Sequence, residues 1–176
     1  MSKLLTALAL SALLLLPAQL QAEEIKGRYV TIQFADRELL GNFNEELELG
    51  RKLSGYAQKR PVVTVADEVL AKVDTVVEKA ETILEMFPDK LHIRIVLLAD
   101  KDGVARVFRQ KYNKSVDYLA FYSLSEDTIY LSVDDVNLEV LAHEIGHAIV
   151  DHYFDVRPPY NIHELMAQFV EKRIND

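Results

Sequence analysis

The stretch that most constrains this chain is the apolar run Leu141 to Ile149, which contains the pattern H-E-x-x-H. The run has no proline and a single glycine, so it predicts an α-helix. Residues four apart in a helix lie one above the other, about 40° apart around the axis and roughly 6 Å along it. His143 and His147 therefore present two imidazoles to one point, while Leu141 and Ile145 face another side. A chain with this helix must bury one side of it and keep a polar site on the other.

The two histidines and the glutamate that follows the first of them have the chemistry of a zinc hydrolase. A tetrahedral zinc can take two of its ligands from imidazoles at this spacing. Glu144 lies about 100° round the helix from His143, where its carboxylate can take a proton from a water activated by the metal. The motif predicts a zinc hydrolase, and a peptidase first of all. The alternative is a solvated helix face that carries two histidines by chance.

The first 22 residues predict a signal peptide. Lys3 supplies a short basic region, residues 4–16 are almost entirely apolar, and residues 20–22 offer a cleavage site with a small residue at its end. The apolar run is shorter than the roughly 20 residues that a membrane-spanning helix needs. We therefore expect an exported protein, periplasmic or secreted, with no stable membrane insertion after cleavage. An uncleaved N-terminal anchor is the alternative.

Length and composition bound the rest of the chain. The 176 residues suit one domain, so we expect residues 23–176 to form a single metallopeptidase domain. The net charge of −8 argues against a nucleic-acid partner. The chain has no cysteine, so a metal would have to be bound by His, Asp and Glu side chains.

Hydrophobic periodicity and turn residues predict the element order βααβαββαα, an α+β domain with one mixed β-sheet. Strands are predicted at 27–34, 91–98, 118–123 and 128–133, and helices at 36–56, 65–87 and 100–112. The helix that carries His143 follows, capped by Asp134 or Asp135. A C-terminal helix comes last, and Asn161 could cap it.

A third metal ligand is expected after the two histidines, because a catalytic zinc normally has three protein ligands and one water. Val150 and Tyr153 stand where the longer metzincin motif has its glycine and third histidine, which excludes that class. The best candidate is Glu164, and His163 is a weaker one. The last helix should fold back after the Pro158-Pro159 turn. The apolar residues predicted to pack inward are Ile162, Leu165, Met166, Phe169 and Val170.

Glu164 also has a structural explanation. Asn161 followed three residues later by Glu164 is a capping-box pattern, in which the carboxylate bonds back to the backbone at the start of the helix. If the helix instead begins at Pro159, the box disappears and the carboxylate is free to bind a metal.

The set His143, Glu144, His147 and Glu164 resembles the gluzincins, the thermolysin-like zinc peptidases. The resemblance extends over residues 119–169 and implies a zincin-like sheet, an active-site helix and a following C-terminal helix. In that family a strand with a motif like Asn-Ala-Phe-Trp forms the edge of the sheet above the active helix. Here the similar segment is Leu119-Ala120-Phe121-Tyr122. The resemblance implies that a peptide or protein substrate pairs with the backbone of Ala120, Phe121 and Tyr122. An ordinary hairpin is the alternative.

The chain also departs from the gluzincin pattern. Gln168 stands where these peptidases commonly have an aspartate that orients the first zinc histidine, and Asp151 could supply the missing charge. Larger members have a C-terminal subdomain with an oxyanion-stabilising Tyr or His. Its local substitutes here would be Tyr160 first, then His163, His152 or Tyr122. We expect an open, shallow cleft, and a dedicated partner could complete it.

Two other functions are compatible with the sequence. A zinc amidase or peptidase that acts on cell-wall peptides would suit a periplasmic location. A non-catalytic, zinc-stabilised binding module could instead present the strand around Ala120 to a partner. The presence of Glu144 favours an enzyme, because a structural zinc site needs no base.

Overall fold

The computed structural model describes residues 22–176, so the predicted signal peptide lies outside the described residues except for its last position. Among the helices in this part of the chain, none has the length and apolar character needed to cross a membrane. The elements are β1 (Glu23–Lys26), β2 (Val30–Phe34), α1 (Arg37–Glu46), α2 (Arg51–Ala57), α3 (Val65–Leu84), β3 (Ile93–Leu98), α4 (Lys101–Tyr112), β4 (Ala120–Ser123), β5 (Thr128–Ser132), α5 (Leu138–Tyr153) and α6 (Tyr160–Arg173). The predicted α+β class is confirmed.

The five strands form one mixed sheet in the order β1-β2-β3-β5-β4. Strands β2, β3 and β5 are parallel, and β1 and β4 are antiparallel edges. Ile32, Ile95 and Ile129 lie side by side across the parallel strands and are fully buried. The same core contains Ile145 and Ile149 of α5, so this face of the sheet supports the helix that carries the H-E-x-x-H motif. Helix α4 packs on the other face.

The predicted helix 36–56 is two helices, α1 and α2, with a break at residues 47–50. Asp36 caps α1 by accepting a hydrogen bond from Leu39 N–H at 2.9 Å. Helix α1 ends before Leu47, where ψ is 82° and the backbone is no longer helical. The Leu47 side chain is fully buried at this point. The strand predicted from residue 27 begins at Val30, since Gly27 and Val30 close a turn, and the charged segment before it forms β1.

The starts of the last two helices differ from the prediction. Asn137 caps α5 through a bond from Val140 N–H at 2.8 Å, so neither Asp134 nor Asp135 is the cap. Helix α6 begins after Pro159, without a side-chain cap. Pro159 is the N-cap residue, with ψ at 147°, and Tyr160 is the first helical residue. Asn161 therefore lies inside the first turn, and the capping box that would have occupied Glu164 does not form.

Helix α6 is rotated relative to the prediction. Of the five residues predicted to pack inward, Val170 is fully buried and Met166 packs against the core, as predicted, whereas Ile162, Leu165 and Phe169 are 38%, 62% and 42% exposed. His163 and Ala167 are buried in their place. The rotation follows from a close helix crossing: a Cβ at Gly146 of α5 would lie 3.0 Å from Ala167 Cα. Two small residues let the backbones of α5 and α6 approach, and this brings one polar face of α6 onto the histidines of α5.

Candidate metal centre

Three potential ligand atoms converge where α5 and α6 face each other. The Nε2 atoms of His143 and His147 are 3.1 Å apart. The carboxylate of Glu164 lies 3.6 Å from His143 Nε2 and 3.5 Å from His147 Nε2. The two histidines come from successive turns of α5 and the glutamate from the second turn of α6, so the close packing of the two helices creates the cluster.

The spacing of these atoms fits a tetrahedral metal ion. Zinc is bound by imidazole nitrogens at about 2.0–2.1 Å and by carboxylate oxygens at about 2.0–2.2 Å, which puts two ligands of a tetrahedron about 3.4 Å apart. The two Nε2 atoms are 3.1 Å apart, Glu164 Oε1 is 3.6 Å from His143 Nε2, and Glu164 Oε2 is 3.5 Å from His147 Nε2, so each histidine has a carboxylate oxygen near this separation. His143, His147 and Glu164 together therefore offer three of the four corners of a tetrahedral site.

The first histidine is oriented by a residue that the sequence did not indicate. Glu171 Oε2 lies 2.8 Å from His143 Nδ1 and can accept its proton, which leaves the Nε2 lone pair directed at the cluster. The sequence predicted Gln168 for this task, but Gln168 donates to Glu164 Oε1 at 3.0 Å instead. Because α6 runs back along α5, a residue two turns after Glu164, and not one, reaches the earlier histidine.

The second histidine is held by another histidine. His147 Nδ1 lies 2.7 Å from His163 Nδ1, so a proton on His147 Nδ1 donated to His163 leaves His147 Nε2 free to bind a metal. Burial, followed by the proximity of His143 and His163, lowers the pKa of His147 to about 4. A neutral imidazole is the form that binds metals. His163 Nε2 is buried and finds no hydrogen-bond partner among residues 22–176.

Asp151, which the sequence offered as the source of the charge that Gln168 lacks, does not contact the two histidines. Its carboxylate accepts a hydrogen bond from the Tyr122 hydroxyl at 3.2 Å and pairs with Arg157 at 2.7 Å. Asp151 lies one turn beyond His147, as the sequence suggested. The side chain extends instead towards β4 and the loop that connects α5 to α6, where a hydroxyl and a guanidinium bind it.

Glu144 is the buried carboxyl group beside the cluster, with 8% of its surface exposed. Burial raises its pKa to about 7, against the opposing effects of His143 and of the Tyr122 backbone N–H. A carboxylate with a pKa near neutrality is suited to accept and return a proton. Glu144 lines the same cleft as His143, His147 and Glu164.

The cleft has a volume of about 820 Å³. Its lining includes Ala120, Phe121 and Tyr122 of the edge strand, together with Arg157, Pro158 and Tyr160. This puts the predicted substrate-binding segment beside the three potential ligands.

The candidates for an oxyanion donor divide into two groups. The Tyr122 hydroxyl donates to Asp127 at 2.8 Å, and His152 Nε2 contacts the same carboxylate at 2.9 Å, so both are engaged elsewhere. His163 is turned towards His147. Tyr160 lines the cleft and is 78% exposed, which leaves its hydroxyl accessible to a substrate.

No family model matches this chain, and neither the curated proteins nor the solved structures contain a match to it. Its function must therefore be inferred from its own residues and their geometry.

Proposed function

We propose that this protein is a zinc-dependent peptidase of a minimal, gluzincin-like type. His143, His147 and Glu164 would hold the zinc, and Glu144 would act as the general base. The observation that carries the proposal is the convergence of His143, His147 and Glu164, whose potential ligand atoms lie within 4.8 Å of one another, with Glu144 beside them in one cleft. A purely structural zinc site would usually fill its fourth position with a protein ligand and would need no base.

When bound, zinc would supply a Lewis acid that makes water a better nucleophile at neutral pH and polarises a carbonyl group. The protein's own residues perform the proton transfers. Glu144 takes the proton of the attacking water as the new C–O bond forms at the peptide carbonyl. It then delivers this proton to the amine nitrogen as the C–N bond breaks. Glu171 and His163 hold the imidazoles of His143 and His147 in the orientation that binds the metal.

Tyr160 is the proposed donor to the oxyanion that develops on the carbonyl oxygen. It stands in the first turn of α6, four residues before Glu164, and its side chain lines the cleft. The Tyr160 side chain is 78% exposed and can reach a substrate in the cleft, unlike Tyr122, whose hydroxyl binds two carboxylates.

Metal analysis tests the first half of the proposal. We expect about one zinc per chain in the purified protein, and its loss in His143→Ala. His152→Ala is the matched control, because His152 lies on the same helix but contacts Asp127 outside the cluster. A wild-type protein without zinc, or His143→Ala with full zinc content, would overturn the site.

Glu144→Gln tests the second half. The variant should keep its zinc and fail to cleave an unstructured protein such as casein, since glutamine has nearly the same shape but cannot accept the proton. Cleavage at the wild-type rate would remove Glu144 from the mechanism. Zinc retention with no cleavage by the wild type, against casein or cell-wall peptides, would favour a non-catalytic binding module.

A further inference from the structure

The outer edge of β4 has unpaired backbone groups. Strand β4 is last in the sheet order, and no strand within residues 22–176 pairs with its outer side. Ser132 N–H bonds to Leu119 C=O at 2.8 Å, which sets the alternation of hydrogen bonds between β4 and β5. Ala120 and Tyr122 lie between the hydrogen-bonded positions, so their N–H and C=O groups face outward. The Tyr122 N–H is directed at the Glu144 carboxylate, and within residues 22–176 the groups of Ala120 pair with no other strand. The edge can accept one more extended strand.

The pleat of β4 sends successive side chains to opposite faces of the sheet. Tyr122 points to the face covered by α5, where its hydroxyl reaches Asp151. Phe121 points to the other face and stacks on Tyr130 with ring centroids 5.0 Å apart. A peptide strand added to the edge would alternate in the same way, so every second side chain would lie beside Phe121.

Phe121 belongs to an aromatic cluster that reaches the surface at this edge. Phe108 packs edge-on against Phe121 at 5.0 Å and against Tyr118 at 5.4 Å, and Tyr112 lies 4.6 Å from Phe108. Tyr112 and Tyr118 remain 39% and 48% exposed. We call these four residues the aromatic wall. The wall and the cluster of His143 and Glu144 line one continuous cleft.

We propose that the aromatic wall is a subsite for an aromatic or large aliphatic side chain of an extended peptide bound along β4. The inference rests on the proposed function and names its substrate class. A peptide that pairs with Ala120 would direct one set of side chains towards α5 and the alternate set onto the wall. The aromatic wall then sets a preference for certain peptide side chains, namely those that point away from His143, His147 and Glu164.

The exposure of the wall supports a binding role in addition to its packing role. Helix α4 buries only Gly103 and Val104 among its residues, so the rings of Phe108 and Tyr112 form much of its apolar surface. Aromatic rings left partly uncovered gain free energy when another apolar group covers them. The uncovered rings lie beside the unpaired backbone of β4, where a bound peptide would bring such a group.

Peptide binding to zinc-loaded Glu144→Gln tests this inference without the need for cleavage. The chain has no tryptophan, so the fluorescence of a tryptophan placed in the peptide reports on its own surroundings. When Trp occupies one set of alternate positions in the peptide, we expect tight binding and a blue shift of the tryptophan emission. Replacement of this Trp by Ala should weaken peptide binding about ten-fold. Tyr118→Ala, added to Glu144→Gln, should remove most of this difference and leave the affinity for the Ala peptide unchanged.

Tyr56→Ala is the matched control, because Tyr56 is 60% exposed on α2 and lies outside the cleft. It should bind both peptides like its parent. Equal affinity for the Trp and Ala peptides, or an equal loss for both in Tyr118→Ala, would overturn the subsite while zinc binding and cleavage by the wild type stand. A protein that binds no zinc but keeps the Trp preference would overturn the proposed function and leave the subsite intact.

Discussion

Helix α5 carries two polar clusters, which differ in how the charges and hydrogen-bonding groups of their side chains are paired. In its middle, His143 and His147 face Glu164 with their Nε2 atoms 3.1 Å apart. At its C-terminal end, Asp151 and His152 belong to a second cluster, which we call the clamp. The clamp consists of Tyr122, Asp127, Asp151, His152 and Arg157.

In the clamp, the one proton of the Tyr122 hydroxyl lies between two carboxylates, and each carboxylate also has a basic side chain as a partner. Asp127 accepts from the Tyr122 hydroxyl and contacts His152 Nε2, while Asp151 accepts from Tyr122 and pairs with Arg157. Burial raises the pKa of Asp127, but its bonds to His152 and Tyr122 outweigh this and hold the pKa below its usual value. The bond to Asp127 in turn raises the pKa of His152. The clamp needs no further ion.

In the other cluster, His143, His147 and Glu164, which we call the metal cluster as the candidate metal site, no further basic side chain within residues 22–176 faces the inward lone pairs. Its two ring nitrogens and its carboxylate all present lone pairs to one point when Glu171 and His163 take the ring protons. Lone pairs at such short distances repel unless a cation lies among them. The comparison teaches that the two clusters differ in their outer partners: Glu171 and His163 leave the lone pairs of the first cluster free to face inward, whereas the carboxylates of the clamp already face basic side chains.

The largest difference between the two clusters should appear in Glu164→Gln. We expect zinc affinity to fall by more than about 100-fold, because one of three protein ligands loses its charge. Competition with a fluorescent chelator measures this. Asp151→Asn in the clamp is the matched control and should bind zinc like the wild type. Equal losses in the two variants would mean that the clusters do not differ in metal binding.

Glu171→Gln should have the next largest effect. Zinc affinity should fall about 10- to 100-fold, because the carboxylate that orients His143 loses its charge while the ligands stay intact. Gln168→Ala is the control, since Gln168 contacts Glu164 and not the imidazole. If Gln168→Ala lost more zinc affinity than Glu171→Gln, then Gln168, and not Glu171, would be the residue that orients His143.

Gly146→Ala should disturb the helix crossing that forms the metal cluster. The new Cβ would lie 3.0 Å from the Cα of Ala167, so α5 and α6 must separate. We expect a loss of about 1–2 kcal/mol in the free energy of unfolding by urea, with weaker zinc binding. Gly55→Ala is the control: a Cβ there meets nothing within 4 Å, and alanine in a helix should stabilise by up to about 1 kcal/mol. Stabilisation of both variants would contradict the close crossing.

The pH dependence of the clamp should be the smallest effect. The pKa of His152 is raised in the folded state, so its stabilising contribution is fully present below the unfolded pKa and is lost as pH rises through the folded pKa. In metal-free protein, His152→Gln should lower the free energy of unfolding by less than about 1 kcal/mol at acidic pH. At alkaline pH, His152→Gln should lower the free energy of unfolding by a smaller amount. A loss that grows with pH would contradict the sign of this shift.

Much of the local structure could be predicted from the sequence. The apolar run around the H-E-x-x-H motif predicted α5, and alternation with a polar turn predicted the β4–β5 hairpin. Such features depend on residues close together in the chain. The prediction failed where packing between elements decides, as in the break between α1 and α2 and in the inward face of α6.

The sequence by itself determined that His143 and His147 lie on successive turns of one helix with Glu144 next to His143, because the helical period places them there. Only the tertiary structure decided that Glu171 and His163, and not Gln168 or Asp151, contact these histidines. That choice depends on the rotation of α6, which the crossing of Gly146 and Ala167 sets. A crossing between two helices joins residues far apart in the chain, and neither helix alone contains the information that sets it.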